Sequence, residues 1–95
     1  SKLQKISLNT HESTPQLVGR IANLQINKGI LVFNLTTTKQ IFYRETLHIK
    51  NKTNGKNVGK ATVLQILGSK CIAKFEGRNI SGLSLGDYLF RPVGQ

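Results

Sequence analysis

The stretch Asn54-Gly55-Lys56-Asn57-Val58-Gly59-Lys60-Ala61-Thr62 is where this chain comes nearest to reaction chemistry. A phosphate-binding loop sets two glycines around four residues, then Lys and a Ser or Thr, between a strand and a helix. Its backbone N–H groups and lysine then cradle phosphates. Here Asn54 holds the first glycine position, Ala61 replaces the hydroxyl that would meet magnesium, and the residues that follow read as a strand. The stretch therefore reads as a basic hairpin tip and asks for no nucleotide cofactor.

The other chemistry-bearing residues are scattered. His11 and His48 have no third ligand-type residue at short spacing, which argues against a metal set. Cys71 is the single cysteine and cannot form an internal disulfide. It sits in an alternating apolar stretch and reads as a small buried hydrophobe. Glu12, Glu45, Glu76 and Asp87 are far apart, and Asp87, after Gly86 in a turn before a strand, reads as a cap for backbone N–H groups. No nucleophile, base and orienter stand together, so the expected protein is not an enzyme and carries neither metal nor cofactor.

What the chain does concentrate is positive charge. Lys50, Lys52, Lys56 and Lys60 lie in and around the hairpin, and no acidic residue occurs from Thr46 to Phe75. A lysine cluster of this kind neutralises phosphates without reading sequence. Over the whole chain 14 Lys plus Arg face 4 Asp plus Glu, a net charge of +10, which favours nucleic acid, an acidic lipid surface or an acidic protein as partner. Single-strand binders add stacking rings beside a basic groove. Tyr43, with Arg44 beside it, is the candidate platform, whereas Phe33, Phe75 and Phe90 are assigned to the core. No apolar run reaches membrane-spanning length, so no membrane insertion is expected.

The elements that must position these residues are strands. Ninety-five residues make one domain with a modest core. Residues 1–16 are polar, carry Pro15 and show neither helical nor strand period; they read as a flexible or extended arm before a domain over 17–95. Leu17 to Ile26 and Ile30 to Leu35 flank Asn27-Lys28-Gly29, a hairpin signal in which Gly29 takes a positive φ. Thr36 to Arg44 reads as a loop leading to a buried Ile41 or Phe42. Thr46 to Lys50 alternates cleanly, with Leu47 and Ile49 on the inner side. Asn51 to Asn57 turns back into Val58 to Leu67, and Gly68-Ser69 turns again into Lys70 to Glu76, where Cys71, Ala73 and Phe75 share a face. Ile80 with Leu83 or Leu85 plugs a compact loop, and Tyr88 to Arg91 forms a last strand ended by Pro92. About six short strands without a helical period predict an all-β domain, a small barrel or a strongly bent antiparallel sheet.

The order of these features resembles the C-terminal domain of the bacterial flagellar assembly protein T family, a small β-barrel module. The resemblance is carried by Leu17-Val18-Gly19-Arg20-Ile21, Ile41 with Glu45-Thr46-Leu47-His48-Ile49, and Gly55-Lys56-Asn57-Val58-Gly59 followed by Ala61-Thr62-Val63. Ala73-Lys74-Phe75 and Ile80 through Leu85-Gly86-Asp87-Tyr88-Leu89 complete it. Arg44 stands where this pattern commonly has Gly before its acidic residue. Similar punctuation occurs in the second domain of translation GTPases. The resemblance implies an assembly module of the periplasm or cell envelope that packs against protein partners; without it, a cytoplasmic home is expected. Two functions are therefore expected: a noncatalytic protein-interaction module using the Lys50 to Lys60 hairpin and an exposed sheet edge, or a nucleic-acid-binding barrel using the same basic hairpin.

Overall fold

The computed structural model describes residues 15–38 and 40–92. Six strands follow in order: β1 (Gln16–Gln25), β2 (Ile30–Leu35), β3 (Thr46–Lys50), β4 (Asn57–Leu67), β5 (Lys70–Glu76) and β6 (Tyr88–Arg91). The only helical pieces among the described residues are two 3-10 turns, Ile26–Lys28 and Ile80–Gly82. The arm expected over residues 1–16 lies outside the described residues except for Pro15 and Gln16, and Gln16 already opens β1.

The strands close into an all-antiparallel barrel in the order β1-β2-β5-β4-β3-β6, with β6 returning to β1. Closure gives every described strand a partner on both sides, and a closed barrel has no edge. The exposed sheet edge expected as a docking device is therefore absent among these strands. Of the two expected architectures, the barrel is the one formed.

Period-two alternation puts the core where the apolar residues predict it. Leu31 and Phe33 of β2, Leu47 and Ile49 of β3, Ala61 and Val63 of β4, Cys71, Ala73 and Phe75 of β5 and Leu89 of β6 all point inward and are buried. Ile41 plugs the barrel from the β2–β3 loop and Leu83 from the β5–β6 loop, while Phe42 and Leu85 remain exposed. Burial pushes the Cys71 thiol above its ordinary pKa, with the Glu45 carboxylate adding to the effect, so the neutral, unreactive form is favoured.

Departures from simple alternation coincide with bulges. The register of β1 shifts between Leu17 and Gly19 against β6, and between Ile21 and Asn23 against β2. Inward residues Val18 and Ile21 are consequently three apart instead of two. A shift between Ile49 and Lys50 marks another bulge, at the start of β4. Gly59, part of the stretch that reads as a basic hairpin tip, lies within β4 at a φ of 150°, and a Cβ there would meet the Phe75 ring at 2.4 Å. This glycine exists to let β4 pass over a core ring.

Candidate functional site

The outer face of β6 and its two neighbours carries the site. Because Leu89 faces inward, Tyr88 and Phe90 both face outward. Arg20 of β1 lies opposite Tyr88 on one side and Lys50 of β3 on the other. His48 of β3 lies opposite Phe90, and Lys60 of β4 lies opposite His48. Two aromatic rings thus sit within a surface edged by Arg20, Lys50, His48 and Lys60.

The contacts are specific. The rings of Tyr88 and Phe90 meet edge to face, with centroids 6.1 Å apart and planes at 70°. The Arg20 guanidinium lies 4.9 Å from the Tyr88 centroid and the Lys50 ammonium 5.0 Å from the Phe90 centroid, so each ring holds a cation against its face. Beside Phe90 opens a groove of about 760 Å³ lined by His48, Lys50, Asn57 and Lys60, with Glu45, Pro15 and Pro92 also on its wall.

Acidic groups near this face are already engaged. Glu45 pairs with Arg91, whose Nε and Nη2 both donate to its carboxylate. Arg91 also donates from Nη2 to the Gln40 carbonyl at 2.7 Å and from Nη1 to Gln16 Oε1 at 3.1 Å. The Glu45 hydrogen bond, outweighing partial burial, raises the Arg91 pKa, so this residue stays cationic. Glu76, across from Lys60 on β5, accepts from Thr62 Oγ1 at 2.5 Å. Asp87 is fully buried and caps two backbone N–H groups, Lys52 through Oδ1 at 3.0 Å and Ser84 through Oδ2 at 2.9 Å.

The four lysines singled out in the sequence separate in space. Lys50 and Lys60 line the groove. Lys52 folds toward the β5–β6 loop, its Nζ donating to the Leu85 carbonyl at 2.5 Å. Lys56 stands exposed near the hairpin tip, its backbone N–H held by Asn54. Tyr43 and Arg44 lie in an exposed turn and do not line the groove. Sequence reasoning missed Arg20, Tyr88 and Phe90 as surface partners. The signal for the rings is present in Tyr88-Leu89-Phe90, where strict alternation puts both rings on the face opposite Leu89; Phe90, expected in the core, is half-buried on the outer face. His11 and Glu12 lie outside the described residues.

No family model, no curated protein and no solved structure matches this chain. Among the described residues no helix is long and apolar enough to cross a membrane.

Proposed function

We propose that this protein is a noncatalytic module that binds single-stranded nucleic acid on the outer face of β1, β6, β3 and β4. One observation carries the reading: Tyr88 and Phe90 present two rings on a surface edged by Arg20, Lys50, His48 and Lys60. Stacking on such rings is available to any base, and cations around them neutralise the backbone. Arg20 and Lys50, now over the rings, are the groups that move to phosphates when bases take their place. The net charge of +10 supplies the long-range attraction that brings the strand in. A duplex keeps its bases stacked internally and gains only the charge term.

Fluorescence anisotropy with labelled oligothymidylate at low salt tests this. Tyr88→Ala and Phe90→Ala each remove about 1–3 kcal/mol of stacking, a loss of roughly 5- to 150-fold in affinity, while the fold persists because both rings lie outside the core. Absence of binding by the wild type, or unchanged affinity in both ring variants, contradicts the reading.

A protein partner is the second reading, in line with the resemblance to an envelope or flagellar-type assembly module. It rests on a different surface. Phe42 and Tyr43 are 55% and 64% exposed in their turn, and the Arg44 N–H bond to the Val63 carbonyl sets exposed Leu64 beside it.

A further inference from the structure

We propose that Gly86 is the floor of a phosphate subsite whose walls are Arg20 and Lys52, and that it fixes where a bound strand starts on the aromatic row. The inference rests on the nucleic-acid reading above and adds a second, separately placed element to it. Gly86 lies in the turn that leads into β6, two residues before Tyr88, so bare backbone precedes the two outward rings of Tyr88 and Phe90.

Two cations converge on the bare position. A Cβ built on Gly86 would stand 3.4 Å from Arg20 Nη2, 3.3 Å from Lys52 Cδ and 3.5 Å from Lys52 Nζ. Both side chains are held there by the same short loop: Arg20 Nε donates to the Gly86 carbonyl at 3.1 Å and Lys52 Nζ to the Leu85 carbonyl. One donor of each is used, leaving two on the ammonium and four on the guanidinium. The guanidinium also lies over Tyr88, so a base that takes that ring face displaces it toward Gly86, where its Nε is already bonded, to meet the phosphate.

Asp87, the next residue, is fully buried with its carboxylate oxygens turned to the Lys52 and Ser84 N–H groups. The Gly86 N–H donates to the Ile21 carbonyl at 2.8 Å and the Asp87 N–H to the Ser84 carbonyl at 3.1 Å, so the phosphate is held by the two side chains and not by a backbone nest. Gly86 sits at a φ of 89°, a conformation that favours glycine, and the missing side chain lets Arg20 and Lys52 close in over the backbone. Lys52, which the sequence placed among the hairpin lysines, thereby acts with β1 and β6.

The test compares wild type with the Arg20→Gln/Lys52→Gln double variant in two measurements. Oligothymidylate affinity is followed against salt, and inorganic phosphate is titrated while backbone amide resonances are recorded. The double variant shows a log–log salt slope shallower by about 0.7, the value for one phosphate of a single strand. It also loses the phosphate-induced shifts at Gly86 and Tyr88 seen in wild type. The charge-matched Lys28→Gln/Lys70→Gln variant keeps both. An unchanged slope in the double variant, or equal losses in the two charge variants, overturns the subsite. If Tyr88→Ala and Phe90→Ala still weaken binding in that case, the nucleic-acid reading survives without it. Failure of wild type to bind the oligonucleotide at low salt overturns both.

Discussion

Arg44 adopts a φ of 65°, the one non-glycine residue with a positive φ among those described. The Glu45 N–H donates to the Phe42 carbonyl at 3.2 Å, so Arg44 is the third residue of a four-residue turn, the place where a type II turn requires a positive φ. An L side chain in this region costs about 1–2 kcal/mol, partly offset in a glycine variant by the freer unfolded chain. Arg44→Gly accordingly raises unfolding free energy by about 0.5–1 kcal/mol in urea titration, whereas Arg44→Ala, which keeps the Cβ, gives no gain. Equal stabilisation by both variants would place the effect elsewhere. The turn is retained because the Arg44 N–H and the Glu45 carbonyl both bond Val63, continuing the β3–β4 ladder past Thr46.

Among the elements, the junction of the β3–β4 hairpin with the β5–β6 loop matters most, because it sets Lys52, Gly86 and Tyr88 against β1. Asp87 makes that junction. Asp87→Ala leaves the Lys52 and Ser84 N–H groups without their partner, at about 1–3 kcal/mol each. Urea denaturation is expected to show a loss of about 2–6 kcal/mol, with Asp87→Asn, which keeps one acceptor oxygen, losing distinctly less. A loss below about 1 kcal/mol for the alanine variant would show that the junction is held by something else. The role of Asp87 as a cap was legible in Gly86-Asp87 before a strand, but not the hairpin residue it reaches, 35 positions away. The same limit applies across the fold. Turns at Gly29, Gly55 and Gly68 and the alternation of β3 and β5 were readable because turn chemistry and period two are local. The bulges of β1, one of them against the distant β6, and the passage of Gly59 over Phe75 follow from how facing strands pack and not from turn chemistry or period two, and they leave no local mark. The site was half legible for the same reason. Lys50 and Lys60 were visible as a cluster, while Arg20, Tyr88 and Phe90 join them only when β6 is inserted between β1 and β3.

At the scale of the whole molecule, barrel closure decides between modes of binding. A sheet with a free edge could add a partner's strand, but here β6 seals β3 to β1 and the described strands offer faces instead of edges. Of those faces, the one built on β1, β6, β3 and β4 combines two outward rings with cations from three strands, and its nearby acids are spent on Arg91, Thr62 and buried N–H groups. The central claim is therefore a claim about place. Amide resonance mapping of the labelled protein during titration with oligothymidylate at low salt tests it most directly. The account predicts shifts concentrated on Arg20, His48, Lys50, Lys60 and Gly86 to Phe90, with β2 and the Phe42–Tyr43 turn unmoved. Shifts centred on that turn, spread evenly over every lysine, or absent altogether would contradict it.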